Sequence, residues 1–210
     1  MDYTIRSGID AAAAELGISA VDLATVISYE TAGTLNPLKK GPTTQWGQHR
    51  GLIQFGEPQA KEFGVDFSNK QSAINSQLGP NGAVVKYLKS KGVEPGMGLL
   101  ELYSAINAGS IGEKYYGRTD ENNNGAPGTV REKVINMGDH RASAVRKLGY
   151  SDSSPNMKVF GAEQAVVGKS PMDSNSALPY YTGATANIPY NPEAEVVPPT
   201  NFPARNDFRS

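Results

Sequence analysis

Residues 19 to 33 read SAVDLATVISYETAG, and this stretch decides the fold class of the chain. Its apolar residues recur at helical spacing, Ser19 is a residue type that caps helices, and Gly33 readily adopts the left-handed conformation in which helices often end. Glu30 lies near the end of this predicted helix, on the same face as Leu23. The stretch therefore predicts an amphipathic helix that carries a carboxylic acid on its apolar face.

The chain up to about residue 150 repeats this pattern of short helices separated by glycines. Thr129 and Glu132, for example, form a capping box that predicts a helix over 130 to 148. No segment alternates at period two, so any sheet is expected to be small. We therefore predict a mostly α-helical domain over residues 1 to 150, with at most a small β or loop wing.

Glu30 has the setting of an acid catalyst. Burial among apolar side chains and the negative end of the helix dipole both favour the protonated carboxyl group. Cleavage of a glycosidic bond requires such a group, because the leaving oxygen must receive a proton. The helix alone leaves a second interpretation open, in which Glu30 extends to water or pairs with Lys39 or Arg50.

Two motifs downstream of Glu30-Thr31 favour the catalytic interpretation. They are GLIQ at 51 to 54, with Pro58 shortly after, and AINAG at 105 to 109. In order and spacing, these motifs resemble the soluble lytic transglycosylase branch of the lysozyme superfamily, whose pattern is Glu-Ser, Gly-Leu-Met-Gln before a proline-started helix, and Ala-Tyr-Asn-Ala-Gly. The resemblance covers about residues 3 to 150 and implies a lysozyme-like fold.

The resemblance also implies roles for individual residues. Glu30 is similar to the single catalytic acid/base of the family. Thr31 keeps the hydroxyl of the family's serine and is expected to contact substrate. Gln54 is expected to contact the sugar amide or the backbone that lines the cleft. Asn107 is expected to bind substrate or to hold its loop near Glu30.

One position departs from the family pattern. The tyrosine of the third motif is Ile106 here, so the phenolic contact to the acid is missing unless Tyr103, Tyr115 or Tyr116 replaces it. Tyr103 lies one helical turn before Asn107 on the same face, which makes it a candidate for the substrate site. Its alternative role is that of a core aromatic residue.

Trp46, the only tryptophan of the chain, lies in the segment QWGQHR at 45 to 50. Its ring is a candidate to stack on a sugar face, and Arg50 is a candidate to meet substrate carboxylates. The alternative is a tryptophan that wedges a loop against the core.

The absence of a second acid near Glu30 bears on the reaction. No acidic residue occurs from Thr31 to Gly56, whereas hydrolysis by lysozymes needs a second carboxylate across the bond. The resemblance implies instead that the 6-hydroxyl of N-acetylmuramic acid attacks its own anomeric carbon and gives a 1,6-anhydro product. Hydrolysis stays open, because Glu57, Glu62 and Asp66 are close in sequence.

Composition excludes several other classes of function. The net charge of -1 and the scattered Lys and Arg argue against nucleic-acid binding. The chain has no cysteine, and His49 and His140 are far apart, so no zinc spacing exists and no metal or cofactor is expected. Residues 120 to 125, DENNNG, match the opening of a calcium loop, but Arg131 stands at the twelfth position, which favours an Asn-rich surface turn.

Residues 151 to 210 contain eight of the fourteen prolines, together with aromatic residues such as Tyr180, Tyr181 and Phe202. This composition predicts an extended tail that docks onto partner proteins. With no membrane span and no export signal expected, the chain is predicted to be a multi-copy bacteriophage virion protein that carries its activity to peptidoglycan. The alternative is a structural virion subunit with a non-catalytic lysozyme-like domain.

Overall fold

The structure is a computed structural model and describes residues 2–119 and 127–151, all of which fall in one unit of the chain. This part of the chain contains nine helices and one two-stranded sheet. In chain order they are α1 (Ile5–Leu16), α2 (Ala20–Glu30), β1 (Lys40–Thr44), β2 (Gly47–Arg50), α3 (Glu57–Glu62), α4 (Lys70–Gln77), α5 (Ala83–Ser90), α6 (Leu99–Asn107), α7 (Glu113–Tyr116), α8 (Val130–Ile135) and α9 (Gly138–Leu148). The predicted mostly α fold class with a small β wing is confirmed.

Helix α2 is the central helix of the core, because it packs against α1, α6 and α9. Four of its apolar side chains have no exposed surface; they are Leu23, Ala24, Val26 and Ile27. Ser19 caps the helix by accepting a hydrogen bond from the amide of Asp22 at 3.2 Å, as predicted. The helix ends at Glu30, and Gly33 adopts a φ of 76°, so the predicted helix end is also confirmed.

An enclosed ion pair fixes the start of α2 to α9. Arg141 Nη1 lies 2.7 Å from Asp22 Oδ1, and the two side chains are only 12% and 16% exposed. Loss of either partner would leave the other charge nearly desolvated, which is costly. The pair therefore sets the position of α9 along α2.

The small sheet is an antiparallel hairpin in which Thr44 pairs with Gly47 and Lys40 pairs with Arg50. Gln45 and Trp46 form the two-residue turn between the strands. No residue of either strand is fully buried, because the strands consist of glycine, one proline and polar residues, which are mostly found at the surface. The hairpin is thus a wing attached to the helical body.

The prediction of one helix over 130 to 148 is wrong, because the chain forms two helices there. The capping box between Thr129 and Glu132 is present and starts α8, as predicted. The chain then breaks at Asn136 and Met137, and the Met137 side chain is only 1% exposed. Helix α8 packs on α6 whereas α9 packs on α2, so the break allows each helix to bury its own apolar face.

A cluster of polar contacts joins α1 to the residues that follow α9. Arg6 Nε donates to Asp10 Oδ2 at 2.9 Å, and Arg6 Nη1 donates to the carbonyl of Leu148 at 2.5 Å. The hydroxyl of Tyr150 donates to Asp10 Oδ1 at 2.7 Å, and the guanidinium of Arg6 lies 3.7 Å from the centre of the Tyr150 ring. These contacts therefore connect the first helix of the described sequence to its last residues.

Two predictions concern residues outside the described ranges: the loop at 120 to 125 and, beyond Ser151, the tail at 151 to 210. Within the described ranges, no helix has both the length and the apolar character that a bilayer crossing requires.

Candidate functional site

Glu30 is the last residue of α2 and is half-buried, so its carboxyl group lies at the edge of the apolar core rather than inside it. The preceding residue, Tyr29, is held between two other helices. Its ring stands edge-on to Tyr103 of α6, with centroids 5.3 Å apart, and edge-on to His140 of α9, with centroids 5.2 Å apart. Contacts with α6 and α9 therefore fix the end of α2 that carries the predicted acid.

Thr31 lies inside the protein and has no exposed surface. Its hydroxyl donates to the carbonyl of Ile27 at 2.7 Å and accepts a hydrogen bond from the amide of Leu35 at 3.0 Å. Leu35 needs this support because its φ of 52° is unfavourable for a residue with a branched side chain. We therefore reassign Thr31 from substrate contact to support of the helix end and of the loop that follows it.

Gln54 lies in the turn after β2 with a φ of 54° and turns its amide toward the backbone. Its Nε2 donates to the carbonyl of Gly51 at 2.8 Å and to that of Lys39 at 3.4 Å. Its Oε1 is buried against Gly41 and has no hydrogen-bond partner within the described residues. Of the two roles predicted for Gln54, the structure places its amide against the backbone of the neighbouring loop.

His49 supports the same turn from β2. Its Nδ1 lies 2.9 Å from the carbonyl oxygen of Gln54, and its Nε2 lies 3.0 Å from the hydroxyl of Thr44 on β1. The imidazole thus joins the hairpin to the turn, and the interpretation of His49 as a structural residue agrees with these contacts.

Trp46 occupies the tip of the hairpin and is half-buried. Its amide donates to the Thr44 hydroxyl at 3.1 Å, and its carbonyl accepts from the amide of Glu57 at 3.0 Å. A Cβ atom at Gly56 would lie 3.2 Å from the Cβ atom of Trp46, so the residue is wedged against the start of α3. These contacts correspond to the loop-wedge alternative, and sugar stacking stays a prediction.

Two roles are predicted for Arg50, an ion pair with Glu30 and a contact to substrate carboxylates. Its guanidinium lies over the ring of Phe67, 4.3 Å from the ring centre. Its Nε is buried and has no hydrogen-bond partner within the described residues.

Helix α6 carries the last two predicted site residues. Tyr103 is 1% exposed and belongs to the core, so its alternative role as a core aromatic residue replaces the predicted substrate contact. Asn107 ends the helix and is half-buried. Since residues four apart share one face of a helix, the ring contact between Tyr103 and Tyr29 places the face of Asn107 toward α2.

Sequence reasoning missed Gln77, a glutamine of α4 with no exposed surface. Its Oε1 accepts from the amide of Leu52 at 2.7 Å, and its Nε2 donates to the carbonyl of Pro37 at 2.8 Å. This side chain connects the loop that follows Glu30 to the turn that contains Gln54. Its spacing of three and four residues from Ile74 and Ala73 puts it on the buried face of α4, but this spacing does not reveal which backbone groups it binds.

The predicted site residues thus fall into two groups. The first surrounds the end of α2 and contains Glu30, Thr31, Tyr103 and Asn107, and the second contains Trp46 and Gln54 on the hairpin and its turn. Among the described residues, no group of three or more acidic or histidine side chains is arranged to hold a metal ion. Comparison with protein-family models, with curated proteins and with solved structures yields no match.

Proposed function

We propose that this protein is a lytic transglycosylase that cleaves the β-1,4 bond between N-acetylmuramic acid and N-acetylglucosamine in peptidoglycan. The observation that carries the proposal is the position of Glu30. Glu30 is a half-buried residue at the end of a core helix, and its neighbour Tyr29 is fixed by α6 and α9. A partly desolvated and rigidly held carboxyl group is what general acid catalysis requires.

Glu30 acts twice in the proposed reaction. As an acid, it donates its proton to the bridging oxygen while the glycosidic bond breaks, and the N-acetylglucosamine hydroxyl leaves. As a carboxylate, it then accepts the proton of the muramyl 6-hydroxyl while that oxygen bonds to the anomeric carbon. The products are a 1,6-anhydromuramyl end and a regenerated Glu30, and no water is consumed.

Two of the three downstream acids that leave hydrolysis open, Glu57 and Asp66, support a reaction with one carboxylate. Glu57 Oε1 accepts a hydrogen bond from the amide of Gln48 at 3.0 Å, so it holds the hairpin. Asp66 Oδ1 accepts from the amide of Ser68 at 2.8 Å, and this hydrogen bond holds the pKa of Asp66 below its ordinary value. Both carboxylates therefore serve local backbone structure.

The first test is the Glu30→Gln variant, which keeps the size of the side chain and removes the transferable proton. Because general acid catalysis contributes roughly 10²- to 10⁴-fold, we expect release of muropeptides to fall by at least about 100-fold while the thermal melt is unchanged. Glu94→Gln is the matched control, since Glu94 is exposed on the loop before α6. Full activity of Glu30→Gln would remove Glu30 from the mechanism.

The second test identifies the reaction by mass spectrometry of the released muropeptides. Anhydro ends lack the water that hydrolysed ends contain, so the two products differ by one water molecule. Reducing ends without anhydro sugar would support a hydrolase that uses Glu62 or another acid. Absence of any clearing band in a zymogram of purified cell wall would support the alternative of a non-catalytic structural subunit.

We further propose that residues 151 to 210 dock the enzyme onto other proteins of a bacteriophage particle. The proline-rich sequence with interspersed aromatic residues supports this assignment. Purified particles should contain the full-length chain. A truncated chain that ends at residue 151 should not be incorporated into the particles.

A further inference from the structure

Gln77 of α4 is a buried polar side chain whose amide is hydrogen-bonded to three backbone groups. Both atoms of its amide are hydrogen-bonded: Oε1 to the amide of Leu52 at 2.7 Å, and Nε2 to the carbonyls of Pro37 at 2.8 Å and Ala73 at 2.9 Å. The side chain has no exposed surface. An amide that faces one N–H and two C=O groups has a single orientation that satisfies all of them.

Two of these partners belong to loops that are distant in sequence. Pro37 lies 40 residues before Gln77 in the loop that follows Glu30 and Thr31, and Leu52 lies 25 residues before it in the turn of Gln54. The third partner, Ala73, is in α4 itself and anchors the amide to its own helix. Gln77 therefore bridges two loops from a third element, helix α4.

The sequence of the turn is adapted to this bridge. A Cβ atom at Gly51 would collide with Gln77 Oε1, and Gly51 also adopts a φ of 91°. Only glycine meets both requirements. A further hydrogen bond of 2.8 Å, from the amide of Gly51 to the carbonyl of Lys39, runs beside the bridge.

We propose that Gln77 is a positioning residue of the active site, because it holds the turn of Gln54 in register with the loop that follows Glu30. This proposal rests on the proposed function of Glu30. Gln77 does not touch the reacting atoms; it acts through the backbone of Leu52 and of Pro37. Its loss leaves a buried amide and a buried carbonyl without partners, and the two loops then lose the link that supplements their hydrogen bonds to Lys39.

The decisive experiment compares Gln77→Met with wild type on soluble glycan strands from peptidoglycan. Methionine fills a similar volume without donors or acceptors. Because a displacement of about 1 Å in a site costs about 10²-fold in rate, we expect kcat per folded molecule to fall by roughly 10- to 100-fold, with a smaller change in KM. A residue with a merely structural role would lower the melting temperature and leave kcat unchanged.

The matched control is Gln71→Met on the same helix. Gln71 is exposed and donates to the carbonyl of Tyr3 and to Asn75, away from the two loops. Its kcat should equal that of wild type. If Gln77→Met does not fold, Gln77→Asn provides the same test, since its shorter side chain keeps an amide but cannot reach both Leu52 and Pro37.

Amide hydrogen exchange distinguishes a failure of this proposal from a failure of the proposed function. In wild type, the amide of Leu52 should exchange as slowly as amides of the core helices, and in Gln77→Met its exchange should accelerate by at least about tenfold while helix amides do not change. Rapid exchange in wild type, or a kcat of Gln77→Met within twofold of wild type, would overturn the bridge. A wild-type protein that releases no muropeptides, with Leu52 protected, would overturn the proposed function instead.

Discussion

Gln54 illustrates at the scale of one residue how a motif side chain can serve the backbone. Its Nε2 donates to the carbonyls of Gly51 and Lys39, and its Oε1 lies where a Cβ atom at Gly41 would collide with it. The absence of a Cβ atom at Gly41 is what makes room for the amide oxygen. Gly41 has no positive φ, so alanine fits its backbone conformation without strain.

The variant Gly41→Ala therefore tests the placement of Gln54 directly. The new methyl group takes the position of Oε1, and the flexible side chain of Gln54 must move and give up its two hydrogen bonds. We expect a loss of about 1–3 kcal/mol in the free energy of unfolding and a loss of wall cleavage, measured by urea denaturation and muropeptide release. Gly117→Ala is the control, because nothing lies within 4 Å of a Cβ atom there. Wild-type stability and turnover in Gly41→Ala would show that the amide of Gln54 has no such role.

The positions of the candidate site residues in helices and turns were more predictable from the sequence than their contacts. The helical stripe was sufficient to place Glu30 at a helix end, since periodicity depends only on the local sequence. Periodicity did not reveal that Thr31 and Tyr103 are buried, because the burial of a residue depends on which other helices cover it. Gln77 was beyond reach for the same reason, since its partners lie 25 and 40 residues away.

At the scale of elements, the start of α8 shows how a capping box couples a helix to pH. Glu132 Oε2 accepts hydrogen bonds from the amide of Thr129 at 2.7 Å and from its hydroxyl at 3.0 Å. These hydrogen bonds, the backbone one most strongly, lower the pKa of Glu132 from its ordinary value of 4.5. The folded state therefore binds this proton less tightly than the unfolded state does.

The sign of this shift gives a testable pH dependence. Because the pKa is lower in the folded state, the carboxylate contributes stability that is fully present above pH 4.5 and is lost as the pH falls through the folded pKa. We expect Glu132→Gln to be less stable than wild type at pH 7 by about 0.5 kcal/mol, since the side chain is exposed and its charge is screened. Urea denaturation at pH 7, 5 and 3 should show this difference shrinking with acid. A constant difference at all three pH values would contradict the role of the charge.

The bounds of the helices were predictable where capping residues or a glycine in the local sequence mark them. Ser19 and Gly33 defined α2, and the capping box at Thr129 defined the start of α8. The break at Met137 had no comparable signal, because it follows from the need of α8 and α9 to pack on different helices. The sequence predicted the hairpin only as a small wing, since its strands consist of glycine, one proline and polar residues without an alternating pattern.

At the scale of the whole molecule, the contact of α1 with the segment after α9 completes the helical unit. Tyr150 is central to it, because its hydroxyl donates to Asp10 and its ring lies under the guanidinium of Arg6. Burial, and then the hydrogen bond to Asp10, raise the pKa of the Tyr150 phenol well above its ordinary value of 10.0. Tyr150 thus anchors the chain close to the predicted domain end, and that boundary stays a prediction.

The variant Tyr150→Phe tests this contact and its pH dependence together. Phenylalanine keeps the ring beneath Arg6 and loses the hydrogen bond to Asp10, so we expect a loss of about 1 kcal/mol at pH 7 in the partly exposed setting of this pair. A raised pKa in the folded state means that the contribution is fully present below pH 10 and disappears as the pH rises through the folded pKa. Wild type should therefore lose stability more steeply above pH 10 than Tyr150→Phe does, in urea denaturation at pH 7, 10 and 11. Tyr115→Phe is the control, because the Tyr115 ring contacts Lys114 and Arg118 at the surface. Equal alkaline slopes for wild type and Tyr150→Phe would mean that the phenol does not hold the two ends of the unit together.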